Sequence, residues 1–266
     1  MVGMAESPTK FSTLDWIDQV DELGIIAGGM QDGAITLWNC KKLLSNGDPQ
    51  QLMGKGCISA AQIHQGVPVQ SLEFNPNRKN LLASGGSEVL IQDISQNLKK
   101  PSKFKPGEPN FHEGSHITAI SWNRQVPHIL ASASENGKIV VWDLKASRSI
   151  FQFTEPSTTA VGSYFDDPSQ QDTYTCAKRT RMMWNPELAT QFVVANDDDQ
   201  SPSFNVWDLR KTDYPVATFQ NIHYSGITSI SWCLADPNLV VSTGRDERTV
   251  VTNFKTREMV LEFPST

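Results

Sequence analysis

Two histidines four apart with a glutamate beside the first, His112-Glu113-Gly114-Ser115-His116, match the pattern by which zinc peptidases hold a metal and activate water. That chemistry needs a helix, on which imidazoles at i and i+4 share one face. Here Pro109-Asn110 precedes the motif, Gly114 and Ser115 lie inside it, and an apolar run starting at Ile117 follows. The surroundings predict a loop, and His112 stands five residues before Ile117 just as His64 stands five before Val69. A recurring structural position explains it better than a metal. Asp197-Asp198-Asp199 offers hard oxygen ligands of the kind that bind calcium, but lacks the alternation and the distal glutamate of such loops. It is expected to be a solvated acidic turn between two strands. No Gly-x-Ser-x-Gly elbow, glycine-rich phosphate loop or paired Cys/His nucleophile is present, and Gly54-Lys55-Gly56 is too short to cradle a phosphate. The sequence therefore assigns no catalytic, cofactor-binding or metal-binding residue, and the expectation is a protein that is not an enzyme.

What surrounds these residues is a repeat. Its clearest copy runs Ile117-Thr-Ala-Ile-Ser-Trp122, Ile129-Leu-Ala-Ser132, Asn136-Gly137 and Ile139-Val-Val-Trp142-Asp143. Fainter copies run Phe11 to Asn39, Val69 to Asp93, Met182 to Asp208 and Ile227 to Asn253. An aromatic anchor ends the first strand of each copy at Trp16, Phe74, Trp122, Trp184 and Trp232. The matching third-strand position holds Trp38, Gln92, Trp142, Trp207 and Thr252. Within each copy the apolar residues alternate with period two, as half-buried antiparallel strands require. Asp32-Gly33 and Asn136-Gly137 are two-residue hairpin signals, and Asn75-Pro76-Asn77 and Asn185-Pro186-Glu187 mark looser turns. A fourth strand follows each copy, at Gln51–Ile63, Ser102–Lys105, Ser149–Phe153, Pro215–Phe219 and Glu258–Phe263. Four-stranded antiparallel sheets repeated in this way stack around an axis as a β-propeller. The fold class is all-β, with blades at about 11–63, 69–105, 117–153, 180–219 and 227–263 in a single domain over 1–266. Asn97–Pro109 and Glu155–Thr173 read as long surface loops, and no stretch carries a sustained helical period.

The bulk numbers narrow the setting. A net charge of −6 argues against a nucleic-acid binder, which would show a basic face. The clusters Lys99-Lys100 with Lys103 and Lys105, and Lys178-Arg179 with Arg181, fall between copies and read as solvated loops. Cys40, Cys57, Cys176 and Cys233 are scattered without a Cys-x-x-Cys pair, which suits a reducing compartment. No signal peptide or membrane-spanning run is visible. Cytosol is the expected location.

Trp142-Asp143 and Trp207-Asp208 at strand ends, the Leu-Ala-Ser second strands, and His64, His112 and His223 ahead of first strands resemble the WD-repeat family. In that family a histidine, a serine or threonine, a turn aspartate and the tryptophan form a hydrogen-bonded set. No copy here matches it fully. The third offers His112, Ser132 and Trp142 with Asn136 for the aspartate; the fifth offers His223, Thr243 and Asp246 with Thr252 for the tryptophan; the second has Gln92. Blades are therefore expected to lean on apolar packing more than on that network. Phe11-Ser-Thr-Leu-Asp-Trp16, Gly24-Ile-Ile-Ala-Gly-Gly29, Leu81-Leu-Ala-Ser-Gly-Gly86, Asn205-Val-Trp-Asp-Leu-Arg210, Ile227-Thr-Ser-Ile-Ser-Trp232 and Ser242-Thr-Gly-Arg-Asp246 narrow the resemblance. They are similar to the N-terminal propeller of the large subunits of the COPII outer cage.

That resemblance implies a scaffold in transport from endoplasmic reticulum to Golgi, cytoplasmic and peripheral on coated vesicles and exit sites. Its implied partners are the smaller WD-repeat subunit of the cage, other copies of itself at cage vertices and, through regions absent here, inner-coat proteins. No cofactor is implied. Trp207-Asp208-Leu209-Arg210 also resembles a docking box for the adaptor of cullin ubiquitin ligases, which makes a substrate receptor the alternative reading. A propeller hydrolase would need carboxylates gathered on the channel, where the inner strands carry mainly Ile, Val, Leu, Ala and Ser.

Five blades are fewer than the seven the resemblance implies, so the chain is expected to form an incomplete arc, with Val2–Ala5 supplying at most one further strand. Trp122, Trp184 and Trp232 are expected to be buried between sheets, and His116 to sit at a loop tip.

Overall fold

The computed structural model describes residues 9–18, 23–45, 57–96, 112, 114–154 and 181–263. The first blade pairs β1 (Phe11–Ile17), β2 (Ile25–Met30), β3 (Ala34–Asn39) and β4 (Cys57–Gln62) in that order. The second pairs β5 (Ser71–Phe74), β6 (Leu81–Gly85) and β7 (Val89–Asp93), and the third β8 (Ile117–Trp122), β9 (Ile129–Ser134), β10 (Lys138–Asp143) and β11 (Arg148–Thr154). The fourth holds β12 (Arg181–Trp184), β13 (Gln191–Ala195), β14 (Ser203–Asp208) and β15 (Ala217–Gln220). The fifth holds β16 (Ile227–Trp232), β17 (Leu239–Gly244), β18 (Thr249–Asn253) and β19 (Glu258–Phe263). Every pairing is a nearest-neighbour antiparallel one, as short turns between alternating apolar runs dictate.

Several expectations lie outside the described residues: the strand at Ser102–Lys105, the loops at 97–109 and 155–173, and Val2–Ala5. One element was not anticipated, a short helix α1 (Cys40–Ser45) after β3. Asn39 starts it by accepting the Lys42 N–H on its side-chain oxygen at 3.1 Å, a helix cap too short to leave a periodic pattern. The hairpins also differ. Gly33 and Gly137 have φ of 86° and 75°, whereas Asp32 and Asn136 keep negative φ. The turns are three-residue loops in which Asp32 Oδ1 takes the Ala34 N–H and Asn136 Oδ1 the Lys138 N–H.

Each blade has a rear face, bearing its anchor aromatic, and a forward face, and the core lies where the forward face of one meets the rear face of the next. Ala119, Ala131, Ala133, Ile139 and Val141 of the third blade pack on Met182, Trp184, Phe192, Val194 and Trp207 of the fourth. The other junctions repeat the arrangement: first on second, second on third, fourth on fifth. The inner strands pack in series, β1 on β5, β5 on β8, β8 on β12 and β12 on β16, and no comparable packing returns from β16 to β1. The arc is open among the described residues.

Candidate interaction surfaces

Inside the third blade a polar set forms with substitutes. His112 Nε2 lies 2.9 Å from Ser132 Oγ, which takes the Trp142 indole N–H at 2.8 Å. Its Nδ1 lies 2.7 Å from Ser134 Oγ, and Ser134 donates to Asn136 Oδ1 at 2.7 Å. Since the Ser134 proton goes to Asn136, Nδ1 carries the imidazole hydrogen and Nε2 accepts from Ser132. Burial holds this imidazole neutral, with its pKa lowered to about 4. The fifth blade repeats the scheme with Asp246 for Asn136: His223 Nδ1 is 3.0 Å from Asp246 Oδ1, and Nε2 is 2.8 Å from Ser242 Oγ. Burial would push the Asp246 carboxyl up, but the Tyr224 N–H and His223 hold it below its ordinary value. In the second blade His64 Nε2 lies 2.9 Å from Ser84 Oγ, and Gln92 supplies the donor that tryptophan supplies elsewhere, at 3.3 Å.

The polar network is therefore present, with substitutes, in three blades, beside the apolar packing on which the sequence led us to expect the blades to lean more. The serine of the fifth set is Ser242, because Thr243 points to the other face and meets Thr228. Two positions do lose it. Val194 stands where the third blade has Ser132, and the Trp207 indole N–H has no partner among the described residues while Phe153 packs against its ring at 4.2 Å. Thr252 Oγ1 is likewise buried without a partner.

A second set of bonds stitches blade to blade. The residue just before each anchor reaches forward to the backbone N–H of the next anchor. Asp15 Oδ2 takes the Phe74 N–H at 2.6 Å, Glu73 Oε2 the Trp122 N–H at 2.7 Å, Ser121 Oγ the Trp184 N–H at 3.4 Å and Met183 Sδ the Trp232 N–H at 3.0 Å. In return the Trp122 indole donates to the Glu73 carbonyl and the Trp184 indole to the Ser121 carbonyl, both at 3.0 Å. Asn75 and Asn123, just after their anchors, donate to the carbonyls of Pro127 and Ala189 in the next blade. Inner strands have an unpaired edge, and these side chains satisfy it.

The junction of the first and second blades departs from this pattern. Ile17 stands where the others have asparagine, and a cavity of about 510 Å³ opens there, lined by Asp15, Trp16, Asp18, Glu73, Lys79 and Arg124 among others. Burial raises the Glu73 pKa to about 8 and raises that of Asp15, against the N–H bonds each accepts; Arg124 is 3.9 Å from Glu73. Two carboxylates thus do gather at the inner strands, which the sequence reading did not foresee. Their signal was an acidic residue directly ahead of an aromatic anchor. Each spends an oxygen on a backbone N–H of the next blade, which makes them structural acceptors.

The motifs with chemical promise resolve differently. His112 and His116 lie on a loop: His112 is buried among serines, while His116 is partly exposed and 3.4 Å from Glu135. Glu113 lies outside the described residues, and the two imidazoles do not share a helical face. The acidic turn is not simply solvated. Asp197 is buried and 3.0 Å from the Arg245 guanidinium of the fifth blade; Asp199 accepts the Gly226 N–H and a second Arg245 bond. The Gly226 N–H and Arg245 hold the Asp199 pKa below its ordinary value. Any Cβ at Gly226 would run into the Asp197 backbone, so the clasp depends on that glycine. Arg210 curls back on Asp208 with bonds of 3.0 and 2.6 Å, and although burial pushes the Asp208 carboxyl up, Arg210 holds it well below the carboxylate range. The guanidinium of the supposed docking box is therefore committed within its own blade. Among the described residues no group of three or more His, Cys, Asp and Glu is placed to hold a metal, and no helix is long and apolar enough to cross a membrane.

What remains are the two terminal faces. On the rear face of the first blade Leu14 is 59% and Trp16 61% exposed, whereas Trp122 and Trp184 are fully buried. On the fifth blade every residue of β19 is exposed, including Met259, Val260, Leu261 and Phe263.

Comparison with known proteins agrees with this architecture. The family described as WD domain, G-beta repeat, matches residues 108–143. The protein transport protein SEC31 of Dictyostelium discoideum is 38% identical over 272 residues, covering 98% of this chain and 18% of that protein. Sec31B of Mus musculus is 35% identical, covering 99% of this chain and 21% of that protein. The chain spans about one fifth of the length of these curated relatives. Among solved structures, one described as the outer coat vertex of COPII on membranes superposes with a TM-score of 0.76 at 25% identity, covering 97% of this chain and 62% of that one. A chain in a mitotic checkpoint complex superposes at 0.67 with 20% identity, which speaks to the fold alone.

Proposed function

We propose that this chain, an open arc of WD-repeat propeller blades similar over nearly its whole length to the Sec31 protein transport proteins, serves as a non-enzymatic scaffold in the outer cage of the COPII coat. In that role it supports traffic from endoplasmic reticulum to Golgi by protein–protein contacts on the cytoplasmic side of the membrane. The observation that carries the reading is the joint match of sequence and shape: 38% identity to a Sec31 protein over 98% of the chain, and superposition on the outer coat vertex at 0.76. Fold alone would not support it, since propellers host unrelated functions. The internal chemistry is consistent. Titratable groups at the inner strands and turns bind neighbouring blades, and apolar surface is presented outward. Partners in this reading are the smaller WD-repeat cage subunit and further copies at vertices.

The test is a graft. The chain replaces the matching stretch of the Dictyostelium discoideum relative, and outer-coat assembly on liposomes is followed by electron cryotomography. Cage vertices are expected. A graft that folds, judged by a cooperative melt, yet assembles no vertices overturns the proposal.

A further inference from the structure

The junctions between blades follow one plan but do not hold the same bonds. Between the second and third blades the Trp122 indole returns to the Glu73 carbonyl and Asn75 reaches forward to the Pro127 carbonyl. Between the third and fourth, the Trp184 indole and Asn123 do the same at the Ser121 and Ala189 carbonyls. Between the fourth and fifth both bonds are missing, because the Trp232 indole bonds inside its own blade and the Asn185 amide nitrogen has no partner among the described residues. Guanidinium groups make up the loss there. Arg181 donates to the Thr228 carbonyl, Arg257 to the Val216 carbonyl, and Arg245 clasps Asp197 and Asp199.

The first and second blades are joined otherwise. Phe74 has no side-chain N–H to return to the Asp15 carbonyl, and Ile17 has no amide to send to the Lys79 carbonyl, the acceptor that the repeat places opposite it. Ile17, Phe74 and Lys79 line the cavity at this junction, beside the places where those donors would be. The seam is carried by an apolar layer, with Ile17, Ala27, Ile35 and Leu37 against Leu72, Phe74, Leu82 and Leu90. Near one end of the inner strand the Phe74 N–H bonds to Asp15, and near the other the Val69 N–H bonds to the Met30 carbonyl. Apolar contact is non-directional, so it holds two sheets together without fixing their tilt.

We propose that the seam between the first and second blades is a compliant joint, at which the first blade rocks on a block formed by the second to fifth. The block is held by side-chain bonds that fix tilt as well as distance, whereas the seam has lost the two that recur in the middle of the arc. Local opening follows the density of such bonds, so the seam should open more readily than the junctions beside it. Both of its blades are described, and its character does not depend on what adjoins the chain at either end. This goes beyond the coat reading and does not rest on it.

Amide hydrogen exchange of the 266-residue chain, followed residue by residue by NMR, tests it, because three seams carry matched reporters. Val69, Ile117 and Ile227 are buried β-branched residues, and their N–H groups bond to the Met30, Gly86 and Asn196 carbonyls of the preceding blade at 3.0, 2.8 and 3.0 Å. After correction for intrinsic rates, Val69 is expected to exchange about tenfold faster than Ile117 and Ile227, as the absence of two hydrogen bonds implies. Ile227 is the control for position, since the fifth blade is an outer blade of the described arc just as the first is. Simple fraying of an outer blade would speed it as much as Val69. Phe74→Trp supplies the missing indole. It is expected to slow exchange at residue 74 and at Val69 together, by about fivefold, while Ile117 and Ile227 keep their rates. A Val69 amide as slow as that of Ile117, or an Ile227 amide as fast as that of Val69, overturns the proposal. So does a Phe74→Trp chain with a cooperative melt in which Val69 does not slow, since the two ends of one rocking blade move together. Should that variant not fold, the wild-type rates decide alone.

Discussion

Trp122 and Trp16 stand at the same step of the same repeat and meet opposite surroundings. Trp122 is fully buried, its backbone N–H on the Glu73 carboxyl oxygen Oε2 and its indole on the Glu73 carbonyl. Trp16 ends an equally regular strand, paired with β2 through Ile26, yet lies mostly in solvent. The difference is not in the blade that carries the residue but in the blade behind it. An anchor in this fold is a property of a junction, and stability is distributed between neighbours as in other repeat arrays.

The largest effect expected to sharpen this contrast is truncation of the anchors. Trp122→Ala should lose about 3–5 kcal/mol of unfolding free energy, the usual range for a buried aromatic, whereas Trp16→Ala should lose less than about 1 kcal/mol. Urea denaturation of both variants decides it. Equal losses would mean that Trp16 is covered in solution and that the open face is not open.

Next in size is acid. His112 joins two serines of the third blade, and its folded pKa of about 4 lies below the ordinary 6.5. A base whose pKa is depressed on folding contributes stability that is full above the unfolded value and is lost as pH falls through the folded one. The third blade should therefore weaken between about pH 6.5 and 4, by roughly 3 kcal/mol from this group. Glu73 works in the other sense. Its folded pKa of about 8 lies above the ordinary 4.5, so its contribution is greatest in acid and declines as pH rises toward 8. With its side chain 20% exposed, the decline between about pH 6 and 8 should be on the order of 2 kcal/mol. Glu73→Gln should remove that decline and leave the acid limb in place, which stability measured against pH for both proteins reports. A Glu73→Gln curve that still falls from pH 6 to 8 as the wild type does would assign the alkaline limb to other groups.

The sequence displayed the repeat and the anchors because strand alternation and large aromatics leave a periodic trace. It predicted five blades and the burial of Trp122, Trp184 and Trp232. It misjudged the polar sets because it looked for the family's residue types at fixed positions. Gln92 takes the donor role of a tryptophan, Ser134 with Asn136 takes that of an aspartate, and only geometry shows that a different side chain reaches the same atom. The Asp197–Arg245 clasp was hidden for a related reason: its partners are 48 residues apart, and a run of three aspartates looks the same whether it faces water or a guanidinium. Asp15 and Glu73 left a trace in the sequence, ahead of Trp16 and Phe74, but its meaning required knowing that inner edges need acceptors.

The smallest predicted effect separates two internal junctions. Asn123 and Asn185 follow their anchors identically, and each uses its side-chain oxygen to accept two N–H groups of its own turn: Gln125 and Val126 for one, Glu187 and Leu188 for the other. Asn123 also donates across the junction to the Ala189 carbonyl at 2.7 Å. By the repeat, Asn185 should donate to the Pro237 carbonyl, but the Trp232 indole occupies that oxygen at 2.6 Å and the Asn185 amide nitrogen is buried without a partner among the described residues. The swap follows from Met183. Its long thioether takes the Trp232 N–H in place of a short hydroxyl or carboxylate, and the indole bonds within its own blade instead of returning to the previous one. Replacing either asparagine by alanine removes the same turn bonds, so the difference between the two variants isolates the cross-junction bond. Asn123→Ala should cost about 1 kcal/mol more than Asn185→Ala, the net value of one hydrogen bond plus the relief of an unsatisfied amide. The single variant Met183→Ser, compared with the double variant Met183→Ser, Asn185→Ala, sharpens the test: if the serine restores the usual stitch, Asn185 regains its acceptor and its replacement becomes as costly as that of Asn123. Equal costs for Asn123→Ala and Asn185→Ala in the wild-type background would show that the fourth and fifth blades are joined like the rest.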